Sequence, residues 1–350
     1  MRWLVLLVLF VDVSGIHAQM RISVAQLEDF LLSHRAAKES DQETAQKLSA
    51  VQLAEQLSES RLARLLSKLR LGPKAEEQVR LLAITSIFEA PPRADLPSSP
   101  SPDQPTQERI LASARDYVAA SARRLPDFMA IRKTDAFATL PPWGDQTPVK
   151  PETELHFTGE RRLEVTYRLG HEVSSLTNNA APVSETFTTW GEFGPILATI
   201  LGDSSLGTIV WSRWEVDAED KRRAVFHYAV PKSASHDQID LCCYLRFHDT
   251  PAYHGDLSID PGSGAIFQLT LEAEFSDDAV LRESKMAVRY GPVDIGSQTY
   301  ICPLRGVAVG VIHDAQLEKI DGLGLQRFVN VVHFTDYHKF GSTTRILTSQ

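Results

Sequence analysis

The feature of this sequence that most constrains its fold is a regular alternation of apolar and polar residues in its second half. The run AIFQLTLEAEF, residues 265–275, carries an apolar side chain at every odd-numbered position, and residues 162–168 and 223–230 alternate similarly. Successive side chains of a β-strand point to opposite faces, so each run predicts a strand with one apolar face. Such strands are typical of antiparallel sheets that cover a core on one side.

Turn signals between these runs predict how the strands are joined. The segment Asp260–Gly264 predicts a hairpin turn, and a second hairpin is expected with turns near Gly291-Pro292 and Gly296. The sequence GPILATIL predicts a short helix over Pro195–Leu201, begun by the proline and ended by Gly202.

The residues before this region carry helical signals instead. Two serines stand three residues before a glutamine or glutamate, the spacing of a capping box: Ser23 with Gln26 and Ser40 with Glu43. A Leu-Ser pair recurs at residues 48–49, 57–58 and 66–67 and predicts a series of short helices, each started by a serine.

Composition divides the chain further. Residues 90–107 are rich in proline and serine and poor in large apolar residues, which is typical of a linker. The predicted organisation is a signal peptide at 1–18, a helical domain at 20–89, a linker at 90–107, a connecting helix at 108–124 and the β domain at 125–347.

The N-terminus predicts export. Arg2 precedes the apolar run WLVLLVLFV, and a short polar stretch then ends at Ala18. The run is shorter than the ~20 residues that span a bilayer, and a small residue suits a signal-peptidase site. We therefore expect cleavage near Ala18, no transmembrane segment in the mature chain, and a periplasmic or secreted protein. A formal net charge of −9 argues against a nucleic-acid partner.

Three cysteines follow the signal segment, and export would expose them to oxidation. Cys242 and Cys243 are adjacent and would point to opposite faces of a strand, so only one of them can face Cys302. The prediction is one disulfide, between Cys302 and either Cys243 or Cys242, together with one remaining thiol.

The segment Gly202-Asp203-Ser204 raises the question of a serine nucleophile. A hydrolase that uses such a block needs a histidine and a carboxylate beside the serine. The usual Asp-x-x-His block near the C-terminus is missing. Ser204 is therefore interpreted as a turn residue, with a hydrolase kept as an alternative function.

The histidines do not form a convincing metal-binding pattern. His333 would face one side of a strand, whereas Asp336 and His338 would face the other, and two ligands bind a metal weakly. No metal and no cofactor are expected.

Aromatic residues concentrate between positions 190 and 267. They predict either a filled β core or an apolar cavity inside a curved sheet. The residues expected to bind a ligand are Trp214, Phe226, Tyr228, Phe267, Leu269 and Leu271.

Three C-terminal segments resemble a known group of proteins: GDLSIDPGSGAIFQLTLEAEF, VRYGPVDIGSQTYICP and VNVVHFTDYHKFGSTTRIL. The chain resembles a family of uncharacterised secreted bacterial proteins whose C-terminal region is similar to the outer-membrane lipoprotein-sorting superfamily. That resemblance implies a curved half-barrel that carries acyl chains on an apolar concave face, without catalytic residues.

The sequence thus predicts an α+β protein: a helical unit, then an antiparallel sheet curved into a half-barrel with a short helix inserted. Its expected function is non-enzymatic binding of an apolar or acyl ligand, or of an envelope protein, on the concave face. The alternatives are a secreted serine hydrolase using Ser204 and a structural envelope protein with a filled β core.

Overall fold

A computed structural model describes residues 20–37, 39–139, 154–168, 171–176, 192–217, 219–241, 247–315, 318–319 and 324–339. The described chain combines helices with one large antiparallel sheet, which confirms the predicted α+β class and antiparallel sheet. The expected signal peptide lies outside these residues. Among the residues described, none of the helices has both the length and the apolar character needed to cross a membrane.

Residues 20–89 form a helical unit closed by a short parallel strand pair. The elements are β1 (Met20–Ile22), α1 (Val24–Ala37), α2 (Asp41–Ser49), β2 (Val51–Leu53), α3 (Glu59–Leu69), α4 (Pro73–Thr85) and a 3-10 turn at Ser86–Phe88. Both predicted capping boxes are present.

The Leu-Ser repeat does not start a helix at each serine. Ser58 caps α3, whereas Ser49 is the last residue of α2 and Ser67 lies inside α3. No glycine or proline stands between Ser58 and Ser67, so α3 continues without a break past Ser67. The prediction of a serine-started helix for every repeat was wrong.

The helical unit packs directly on the sheet. Leu81 of α4 and Ile87 of the following turn join a buried cluster with sheet valines, including Val307 and Val329. Since these apolar residues are removed from water together, burial holds the two parts of the chain against each other.

Ten strands form the main sheet, and each is antiparallel to its neighbours. In chain order they are β3 (Phe128–Ala138), β4 (His156–Arg168), β5 (His171–Leu176), β6 (Thr208–Val216), β7 (Arg222–Val230), β10 (Ala252–Ile259), β11 (Ile266–Glu274), β12 (Leu281–Ile295), β13 (Gln298–His313) and β14 (Leu325–Lys339). Their spatial order is β5-β4-β3-β14-β13-β12-β11-β10-β7-β6. A separate small pair contains β8 (Ile239–Leu241) and β9 (Phe247–Asp249).

Two further helices, α5 (Gln104–Arg124) and α6 (Pro195–Asp203), cover the apolar face of β7, β10, β11 and β12. Ile110 of α5 and Ile200 of α6 belong to the same buried cluster as Phe226, Leu269 and Val288. The face that the alternation predicted to be apolar is therefore covered by helices of the same chain.

Three predicted boundaries were wrong. The connecting helix, expected at 108–124, begins at Gln104, because the Asp103 side chain caps it there. The helix α6 continues through Gly202 to Asp203, because Leu201 and Asp203 are buried and tertiary contacts hold its last turn. The strand β12 continues through Gly291-Pro292 after a bulge at Arg289/Tyr290, an irregularity at which proline is tolerated. Only Gly296, with a φ of +70°, lies at the turn to β13.

The proline-rich segment contacts the edge of the sheet. The indole Nε1 of Trp214 donates to the carbonyl of Pro100 at 2.9 Å, and the Arg222 guanidinium donates to the hydroxyl of Ser99. The guanidinium of Arg222 also lies over the Trp214 ring. These contacts join a segment with little apolar surface of its own to the β domain.

The turn between β10 and β11 allows no side chain at Gly264. This residue has a φ of +77°, and a Cβ would lie 2.3 Å from the carbonyl oxygen of Ser113 in α5. We expect Gly264→Ala to lower the free energy of unfolding by about 2–4 kcal/mol in urea denaturation. Gly262→Ala is the matched control, because its closest neighbour would lie 3.5 Å away; an equal loss in both variants would contradict this explanation.

Candidate functional site

An apolar cavity of about 170 Å³ lies between α5, the beginning of α6 and the centre of the sheet. Its walls come from α5, α6, β4, β11, β12 and β13, so residues distant in sequence meet there. The lining residues include Tyr117, Ser121, Phe193, Gly194, Ala198, Tyr290 and Cys302. All of the residues that line it are uncharged.

Tyr290 provides a buried hydroxyl group at this cavity. The residue is 6% exposed, and its hydroxyl has no hydrogen-bond partner in the structure. Burial, with the nearby Glu192 carboxylate, raises the pKa of Tyr290 well above its usual value, so the phenol keeps its proton. Tyr290 therefore brings to the lining of the cavity a protonated, buried hydroxyl that lacks a hydrogen-bond acceptor.

The other polar side chains at the cavity are neutral as well. Burial raises the pKa of Tyr117 of α5, whereas the neighbouring Ser121 side chain lowers it. Burial also raises the pKa of Tyr167, from β4. The cavity therefore combines apolar walls with a few hydroxyl groups, a composition common in small-molecule sites.

A buried ion pair lies immediately beyond Phe193. Arg132 of β3 is 2% exposed, Glu192 is 1% exposed, and Nη2 lies 3.1 Å from Oε1. Glu172 of β5 also approaches this pair. The pKa of Glu172 is raised to about 7, mainly by burial and to a smaller extent by the negative charge of Glu192. The positive charge of Arg132 opposes the rise.

Cys302 lines the cavity with a buried thiol, which is free in the structure. Burial raises its pKa to about 12, so the thiol is protonated and a poor nucleophile near neutral pH. Cys242 and Cys243 lie outside the described residues, and the disulfide to Cys302 stays a prediction.

Thiol titration of the denatured, unreduced mature chain tests that disulfide. One reactive thiol is expected if Cys302 pairs with Cys243 or Cys242, because two of the three cysteines would be oxidised. Three reactive thiols would contradict the pairing. Titration after reduction is the control and should return all three.

The residues predicted to bind a ligand occupy several places. Phe226, Tyr228, Leu269 and Leu271 are buried together in the core beneath α5 and α6. Trp214 is partly buried and packs against that core. Phe267 packs against a charged group instead, since the Arg223 guanidinium lies 3.6 Å from the centre of its ring. None of these six lines the cavity, and their binding of a ligand remains untested.

Ser204 is buried and donates a hydrogen bond to the backbone carbonyl of Leu201 at 3.3 Å. The adjacent Asp203 accepts from the Tyr253 hydroxyl at 2.8 Å, and its Oδ1 lies 2.7 Å from Nδ1 of His236. No hydrogen bond joins Ser204 to a histidine within the described chain. This geometry lacks the nucleophile–base contact that a serine hydrolase uses.

Several histidine side chains pair with an aspartate: His227 with Asp256, His236 with Asp203 and His248 with Asp240. In the portion of the chain with described structure, no group of three or more histidine, cysteine, aspartate or glutamate residues is placed to hold a metal ion. In β14, Asp336 has a φ of +56° and lies at a bulge between Thr335 and His338.

Sequence reasoning did not identify Tyr290, Tyr117 or Ser121. Tyr290 precedes Gly291-Pro292, which resembled a turn, and the other two lie on a helix interpreted as a connection. The buried bulge at Tyr290 depends on pairing with β13, for which the local sequence holds no signal.

Comparison of the chain with protein-family models finds no match. Comparisons with curated proteins and with solved structures find none either.

Proposed function

We propose that this is an exported, non-enzymatic binding protein that holds a small apolar ligand, or the end of an acyl chain, between α5, α6 and the sheet. The observation that supports the proposal is an apolar cavity of about 170 Å³ next to the unpartnered, buried hydroxyl of Tyr290. A dry apolar cavity of about 150 Å³ in another protein accepts benzene, so the space suits one ring or a short alkyl segment.

The resemblance to the lipoprotein-sorting half-barrel fits this proposal. A curved antiparallel sheet would present a concave face, and α5 and α6 would lie across that face with the cavity beneath them. In this arrangement most of the concave face is filled by the chain's own side chains, and only a ligand segment of limited size enters. The family relation and the half-barrel curvature are parts of the proposal.

Ligand binding can be tested on the full mature chain. Native mass spectrometry after expression with export should detect a bound small molecule, or else added ethylbenzene should bind and raise the melting temperature. Ala198 lies at the exposed rim of the cavity, so Ala198→Phe should block entry and abolish binding.

Ala119→Phe is the matched control, because Ala119 is an exposed residue of α5 that does not line the cavity. It should bind ethylbenzene as the wild type does. A folded wild-type protein that carries no ligand and binds no apolar probe would exclude the proposal and favour the structural role with a filled core.

A further inference from the structure

We infer that the ligand of this cavity is an uncharged molecule whose polar group is a hydrogen-bond acceptor of the carbonyl type, received by the hydroxyl of Tyr290. The inference rests on the proposed binding function and names the chemistry of the ligand.

The hydroxyl of Tyr290 differs from those of three other tyrosines in the described chain. Tyr228 donates to the carbonyl of Thr270 at 2.6 Å, Tyr253 donates to Asp203 at 2.8 Å, and Tyr337 donates to the carbonyl of Pro303. Each of these hydroxyls donates its hydrogen bond to an oxygen of the protein, which takes the place of water as the acceptor. A buried hydroxyl without a hydrogen bond costs free energy. A ligand that brings an acceptor would form the missing hydrogen bond and regain that free energy.

The beginning of α6 borders the same cavity. Gly194 is the cap residue of α6 and has no side chain, so it provides no side-chain hydrogen bond to the leading N–H groups of the helix. Gly194, Pro195 and Leu197 all line the cavity. A helix N-terminus and a phenol hydroxyl both stabilise partial negative charge, which a carbonyl oxygen carries.

The charges around the cavity disfavour a full negative charge. Among the described residues no cation lines the cavity, and the buried Arg132 already pairs with Glu192. Arg124, at the end of α5, is exposed to water. A carboxylate entering the cavity would lose its hydration without gaining a partner of opposite charge, which is costly.

Three ring-sized probes test this inference: ethylbenzene, acetophenone and benzoate. Titration calorimetry should show acetophenone binding about five- to tenfold more tightly than ethylbenzene, the ratio expected for one net hydrogen bond. Benzoate should not bind detectably at neutral pH. In Tyr290→Phe, which removes only the unpaired hydroxyl, acetophenone should lose its advantage while ethylbenzene binds as before.

Tyr228→Phe is the matched control, since its hydroxyl is satisfied inside the core and does not line the cavity. It should keep the preference for acetophenone. If ethylbenzene binds but acetophenone binds no better, or if Tyr290→Phe keeps the preference, the inference is wrong and the binding function stands. Tighter binding of benzoate would also overturn it, and failure of all three probes would overturn both.

Discussion

Replacing Arg132 with methionine is expected to lower the free energy of unfolding by about 3–5 kcal/mol, among the largest effects of any single substitution in this chain. The guanidinium is 2% exposed and lies 3.1 Å from the carboxylate of Glu192, which is 1% exposed. Removing it takes a positive charge away from the buried Glu192 carboxylate, and it removes the charge that opposes the raised pKa of Glu172. Urea denaturation at neutral pH measures the loss.

The double variant Arg132→Met/Glu192→Leu should recover much of that loss, because it removes both buried charges. The exposed pair of Arg80 and Glu76 on α4 provides the comparison, since Arg80→Met should change stability by less than about 0.5 kcal/mol. A loss below about 1 kcal/mol for Arg132→Met would mean that the buried pair behaves like a surface pair.

Glu172→Gln is expected to stabilise the protein by about 3 kcal/mol above pH 7. Both carboxylate oxygens of Glu172 are buried without a hydrogen-bond partner, and burial raises its pKa from 4.5 to about 7. Each unit of pKa shift corresponds to about 1.4 kcal/mol, and the ionised form is the disfavoured one. Glutamine keeps the shape of the side chain and cannot ionise.

The pH dependence has a definite sign. Between pH 4.5 and about pH 7 the folded state binds more protons at Glu172 than the unfolded state does, so this residue makes stability fall as the pH rises. The difference between Glu172→Gln and the wild type should therefore be close to zero below pH 4.5, grow through this window and level off above about pH 7.

Urea denaturation at a series of pH values measures that difference, with Glu274→Gln as a control on an exposed strand carboxylate. Glu274→Gln should follow the wild type at every pH. A constant difference across the pH range for Glu172→Gln would show that the carboxylate does not change its ionisation in this window.

Much of the local structure follows from short stretches of the sequence. The capping boxes at Ser23 and Ser40 start α1 and α2, and the turn Asp260–Gly264 joins β10 and β11. Alternation over residues 265–275 predicts β11 and its apolar face. Each of these features depends on residues a few positions apart, so a short stretch of sequence is enough to predict it.

The predicted boundaries of α6 and β12 were wrong because contacts with distant segments outweigh the local preferences of the sequence. Glycine by its local preference would end the helix at Gly202, yet buried neighbouring residues hold Gly202 within α6. Gly291-Pro292 favours a turn, yet pairing with β13 carries β12 through it. In α6 tertiary packing offsets a cost of about 1 kcal/mol for a glycine inside a helix. In β12 the neighbouring bulge accommodates the proline.

The candidate site shows the same division more clearly. The sequence by itself determined that the strands at residues 162–168, 223–230 and 265–275 have an apolar face, and it indicated that aromatic residues concentrate between positions 190 and 267. Only the tertiary structure decided that α5 and α6 cover that face, that Phe226 and Tyr228 become filled core, and that a cavity remains beside Tyr290. The physical reason is distance along the chain: periodicity and capping arise between neighbouring residues, whereas a cavity arises from incomplete packing among segments that meet only in the folded protein.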